Sequence, residues 1–103
     1  MFQARQGDVL FIAVKEIPGG LQKKRLTGHI LEGEATGHIH RIAEPELEAA
    51  EVLEIGERLF LNVSESGVSI VHEDHAPVLL PEGTYEVLRQ REYSPEAIRK
   101  VVD

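Results

Sequence analysis

The sequence predicts an all-β fold: a small antiparallel β-barrel or sandwich with one short C-terminal helix. Three observations carry that expectation. Short runs rich in Val, Ile and Leu recur along the chain, Gly and Pro turn signals separate them, and a helical pattern with its own capping residue is confined to the C-terminal end. With 103 residues the chain makes one domain, residues 1–103, large enough for a modest core and too small for two.

Each element follows from its residues. DVLFIAV (8–14) is a nearly continuous apolar run, expected as a strand buried on both faces, and it ends at the Pro-Gly loop 16–20. RLTGHIL (25–31) reads as a second strand, interrupted by Gly28 as a bulge or close approach. TGHIHRI (36–42) is a third. Residues 47–55 keep partial helical period at Leu47, Ala50, Leu53 and Glu54, yet 51–55 fits a strand that turns back at Gly56-Glu57. RLFLNV (58–63) and VSIVH (68–72) flank Ser64-Glu65-Ser66-Gly67, expected as a hairpin loop. APVLL (76–80), the tight turn 81–83 and a long strand 84–93 follow. In SPEAIRKVV, Ser94 suits an N-cap and Pro95 the first helical position, and Ala97, Ile98, Val101 and Val102 form an apolar stripe.

Composition excludes several function classes. The chain carries no cysteine, so disulfides, thiolate metal ligands and cysteine nucleophiles are ruled out. A net charge of −7 argues against a phosphate-backbone binder, although 21–25 (LQKKR) and 88–92 (LRQRE) are locally basic. No stretch is apolar and long enough to cross a membrane, and the N-terminal residues lack the pattern of a signal peptide, so a cytoplasmic protein is expected. There is no glycine-rich phosphate loop, nucleophile elbow or metalloprotease helix, and Ser64 and Ser66 sit in a turn without an adjacent base.

The informative residues are histidines. On a strand, His38 and His40 project to one face with Cα atoms roughly 6.6 Å apart, close enough for both imidazoles to reach one ion. That face also carries Ile42. On 68–72, His72 shares its face with Val68 and Ile70, so if those two point inward His72 does as well. His75 follows three residues later in the sequence HEDHAP. A buried histidine needs a polar partner, and several in one small β-fold favour a metal over ordinary hydrogen-bonded burial. A second candidate is 89–93, where Arg89, Arg91 and Tyr93 alternate on one strand face and could grip a carboxylate or phosphate.

The chain resembles the cupins, small β-barrel (jelly-roll) proteins with metal-binding histidines, over residues 33–86. Their first motif is His-x-His followed after three or four residues by Glu, and here His38-Ile39-His40 precedes Glu44. Their second is a Pro-x-Gly turn with the last histidine ligand three residues beyond, and here Pro81-Glu82-Gly83 leads to Glu86 at that position. Glu32 and Glu51 stand where the first motif has its flanking glycines. The resemblance implies a divalent metal on His38, His40 and Glu44, with the fourth ligand either Glu86 or a histidine recruited from His72 or His75.

Three functions are consistent with these residues. One is a divalent-metal protein binding Zn, Mn, Fe or Ni through His38 and His40, with His72 or His75 as third ligand and Glu44 or Glu86 as carboxylate, and acting on or binding a small anion oriented by Arg89, Arg91 and Tyr93. Another is metal-free acid–base chemistry by paired imidazoles. The third is a structural or assembly module. In each, a homo-oligomer is expected, because a barrel this small has little interior to shelter a site by itself.

Overall fold

The computed structural model describes residues 2–32 and 38–89. Ten strands are found there: β1 (Gln3–Gln6), β2 (Val9–Val14), β3 (Gln22–Lys24), β4 (His29–Glu32), β5 (Ile39–Ile42), β6 (Ala50–Ile55), β7 (Arg58–Val63), β8 (Val68–Val71), β9 (Val78–Leu80) and β10 (Gly83–Arg89). They form two antiparallel sheets, one ordered β1-β2-β10-β7-β6-β3 and the other β4-β5-β8-β9. The sheets are not closed into a barrel, and the all-β expectation resolves into a sandwich-like arrangement. The expected C-terminal helix, residues 94–102, lies outside the described residues.

Two glycine turns set the hairpins of the larger sheet. Gln6 pairs with Val9 and Ile55 with Arg58, leaving two-residue loops Gly7-Asp8 and Gly56-Glu57. Gly7 and Gly56 take φ of 60° and 59°, the left-handed conformation such loops require and that glycine adopts without a Cβ penalty. The first of these hairpins was not expected, because Gln3–Gln6 is too polar to read as a strand. The expected strand 25–31 is a strand only from His29, in β4, and residues 25–28 instead connect β3 to β4, which belong to different sheets. Arg25 makes that corner: its backbone N–H donates to Val52 O, while its guanidinium donates to His29 O and Ile30 O and pairs with Glu54. The loop 64–67 is likewise a crossing between sheets, because β7 and β8 do not pair.

Strand alternation decides what faces the inter-sheet core. Val9 and Phe11, Val52, Leu59, Leu61 and Val63, and Tyr85 and Val87 point inward from the larger sheet, against Ile30, Ile42, Val68, Ile70 and Leu80 from the smaller. The Tyr85 hydroxyl keeps a partner by donating to Pro81 O at 2.7 Å. The opposite face of the larger sheet carries Leu53, Phe60, Glu86 and Ile12 in one cross-strand row. Glu86 accepts both arms of Arg58, each at 2.9 Å, and that guanidinium lies 5.0 Å over the Phe60 ring.

Residues 50–55 form strand β6, as favoured from the sequence, and Glu44–Ala49 coil into short 3₁₀ turns kinked at Glu46. Glu46 fastens this segment by accepting the Ser69 N–H at 2.6 Å. The packing predicts a contrast measurable by urea denaturation. Leu61→Ala empties a fully buried position and should cost about 2–5 kcal/mol. Leu79→Ala, on a residue 73% exposed, should stay within about 0.5 kcal/mol of the parent.

Candidate functional site

At one end of the sandwich the tip of the β1–β2 hairpin meets the start of β5, the loop after β8 and the end of β10. Four imidazoles gather there. Ring centres are 4.2 Å apart for His40 and His72, 4.8 Å for His72 and His75, 6.2 Å for His40 and His75, and 5.8 Å for His38 and His72. The alternation of β5 puts His40 on the inward face with Ile42, and the face of Val68 and Ile70 continues to His72.

Gln6 organises the cluster. It is 2% exposed, and its amide nitrogen donates to two carbonyls, Ile70 O and Ala76 O, at 2.9 Å each. With the nitrogen so occupied, its oxygen is the group that faces His40 Nδ1 at 2.9 Å. An amide oxygen can only accept, so Nδ1 of His40 carries the hydrogen and the neutral ring presents its lone pair at Nε2. That lone pair looks toward Asp8, whose Oδ1 is 3.8 Å away. The other oxygen of Asp8 is held by Arg89 at 3.1 Å, and Arg89 also donates to the carbonyl of Glu32.

Asp74 ties two more rings. Its carboxylate accepts from His38 Nδ1 at 2.6 Å, and its backbone N–H donates to His72 Nδ1 at 3.0 Å. The hydrogen bond from His38 is the main reason the Asp74 carboxyl titrates below its ordinary value. His75 packs against the hairpin tip: a Cβ on Gly7 would come within 2.6 Å of His75 Nε2, so any side chain there would push the ring aside.

The described residues among the expected candidates divide clearly. His38, His40, His72, His75 and Arg89 come together. Glu44 and Glu86 do not. Glu86 alternates to the face opposite Tyr85 and Val87 and is forked onto Arg58. Glu44 is exposed at the start of the 3₁₀ segment and borders a groove of about 430 Å³ with His29, Arg41 and Leu47, which contains none of the clustered histidines. Arg91 and Tyr93 lie outside the described residues. Three participants escaped sequence reasoning: Gln6, Asp8 and Asp74. The Gly-Asp pair after Gln6 was the available signal, since it marks a tight hairpin whose tip brings both neighbours to one place.

In residue type the donor set suits a borderline transition metal, with several imidazoles and the carboxylates of Asp8 and Asp74 nearby. An ion about 2.1 Å from each nitrogen would set two ligand ring centres roughly 4.5–5.3 Å apart, and the spacings within His40, His72 and His75 bracket that range. The nitrogens themselves do not converge as the rings stand. Among the described residues no group of three or more His, Cys, Asp or Glu is arranged to hold a metal ion. His72 shows why, because its Nδ1 lone pair is taken by the Asp74 N–H.

Burial gives His40 a measurable signature. Loss of hydration, followed by the neighbouring His72, lowers its pKa from 6.5 to about 4, against the opposing pull of Asp8. Below pH 6.5 the unfolded chain takes up a proton that the folded chain refuses until about pH 4. Stability in metal-free buffer should therefore be level above that upper pH and fall through the window, by on the order of 3 kcal/mol from this residue. Urea unfolding at a series of pH values would show it. His40→Gln should flatten the slope, whereas His29→Ala should leave it in place.

Comparison with known proteins adds a family without a function. No curated protein and no solved structure matches the chain. The family model described as a domain of unknown function, DUF8820, matches residues 5–90, a span that runs from before Gln6 to beyond Arg89 and so takes in the whole cluster. The chain belongs to the DUF8820 family.

Proposed function

We propose that this domain binds a divalent transition metal ion through its imidazole cluster, with His40, His72 and His75 as the central donors and His38 at the rim. The observation that carries this reading is the fixed tautomer of His40, a buried ring whose lone pair is turned by Gln6 toward the Asp8 carboxylate, with the His72 and His75 rings packed beside it. A hydrogen bond to the far ring nitrogen is what orients a histidine ligand in metal sites generally. Binding requires the rings of His72 and His75 to rotate, and for His72 that means giving up the Asp74 N–H bond. Zn, Mn, Fe and Ni all suit nitrogen and oxygen donors.

The cupin-like reading survives in part within this proposal. It keeps the two histidines of the His-x-His motif and gives up both carboxylates the motif suggested, Glu44 and Glu86. Free acid–base chemistry is less well supported, because His40 is only 1% exposed. A substrate cannot reach such a ring, whereas a single ion held among the rings can.

A structural role is the second reading, and a specific observation favours it. The Gln6 hydrogen bonds already fasten the hairpin of the larger sheet to β8 and the following loop without any ion, and among the described residues no buried side-chain polar atom lacks a partner. Metal analysis of untagged protein separates the two. A metal site predicts about one ion per chain, lost in His40→Ala and retained in His29→Ala. It also predicts that zinc stabilises the parent by about 2.7 kcal/mol at free concentrations near 100 times Kd. A chain that takes up no metal and unfolds at the same temperature with and without zinc would leave the cluster as a hydrogen-bonded fastening.

A further inference from the structure

Among the described residues, three of the five large apolar side chains left exposed, Leu21, Leu26 and Leu47, lie around β3 and the corner 25–28 that follows it. Leu26 is 97% exposed and stands almost wholly in water. A groove borders this corner as two overlapping cavities of about 420 and 430 Å³, which share Leu26, Thr27, Gly28, Ile42 and Leu47. The core residues Ile42 and Val52 line it. At Gly28 a Cβ would come within 2.5 Å of Leu47 Cδ2, so Leu47 packs against the corner backbone and divides the groove in two. An exposed leucine beside an apolar groove marks a contact surface, because both gain by leaving water together.

The two rims of the groove carry opposite charge. Lys23 and Lys24 precede the corner on β3, the edge strand of the larger sheet, and both are exposed. On the other side the 3₁₀ segment carries Glu44 and Glu48, which are exposed as well. Glu46 is already occupied by the Ser69 N–H. Lys24 pairs with Glu51 of its own chain at 3.1 Å, but both side chains are largely in solvent, and such pairs hold their members loosely. One surface thus presents an apolar knob, an apolar groove, a basic rim and an acidic rim. A small apolar ligand would fill the groove and leave the knob and both rims unused. A second copy of the chain uses all four, because an isologous contact sets each feature against its complement.

We infer that this face is the interface of a two-fold dimer: Leu26 of each copy seats in the groove of the other, and the Lys23-Lys24 rim of each meets the partner's Glu44 and Glu48. The surface adjoins His29, at the end of β4 away from Glu32 and the imidazole cluster, so the dimer does not depend on the metal reading.

Sedimentation equilibrium of the full chain in EDTA, over a series of concentrations, tests it. The parent should pass from 11.5 kDa to twice that mass as the concentration rises through the micromolar range. Leu26→Ser should weaken the dimer by about tenfold or more, whereas Leu79→Ser, equally in solvent but on β9, should not. Lys23→Glu/Lys24→Glu and Glu44→Lys/Glu48→Lys should each weaken it by about tenfold, since like charges then face one another across the axis. A one-to-one mixture of those two variants should dimerise again, because every acidic rim then meets a basic one. Circular dichroism and the urea midpoint check that each variant is folded. A parent that stays monomeric at every concentration, whether the groove stands idle or serves a different partner, overturns the inference. So does a dimer that survives Leu26→Ser, or a mixture of the two folded charge variants that fails to associate.

Discussion

The side-chain amide of Gln6 joins the two sheets through three hydrogen bonds. It reaches from the end of β1 in one sheet to the carbonyls of Ile70 and Ala76 and to the ring of His40, all on the other side of the sandwich. Two donated bonds fix which end of the amide is which, and that in turn fixes the proton on His40. A fold-stabilising contact and a chemical assignment are here the same three hydrogen bonds. Because the group is buried, each bond is worth keeping: a stranded donor or acceptor costs about 1–3 kcal/mol. Leucine at this position would satisfy the packing and leave two carbonyls and an N–H without partners.

Around that amide the charges are arranged in a graded way. His40 is the most deeply buried ring and is held neutral, chiefly by lost hydration. His72 is half-buried, while Asp74 and His75 are exposed. Asp8 and Arg89 close the opposite side as an ion pair whose acidic member is nearly half open to water. The site thus holds a neutral ring inside and ionic groups at its rim.

The larger sheet shows why a glutamate that matches a motif by spacing need not serve in a site. Glu86 falls between Tyr85 and Val87, two residues that face the core, and alternation alone turns it to the other side. There it meets Arg58 and helps roof Phe60, which is fully buried on that face. Its neighbour three residues on, Arg89, has the opposite parity and reaches Asp8, beside the histidines, instead. One strand therefore serves two faces with unrelated tasks.

Much of this was legible in the sequence. Short apolar runs with glycine turns specify strands, and a period of two specifies which side chains share a face, so His38 with His40, and His72 with Ile70, followed from local covalent geometry. The turn at Gly56-Glu57 was equally local, because it depends on a glycine accepting positive φ. What the tertiary structure decided was everything that joins segments distant along the chain. Whether 25–31 is one strand or a corner between sheets depends on Arg25 finding Val52 and Glu54, and no local pattern encodes that. Gln3–Gln6 is polar and reads as a tail, yet it pairs with β2 and delivers Gln6, 64 residues from Ile70 in sequence, to the centre of the site. Asp8 and Asp74 were silent for the same reason: an aspartate in a turn is ordinary until the fold sets an imidazole beside it. Side-chain direction is a local property, but the identity of the partner is a property of the folded whole.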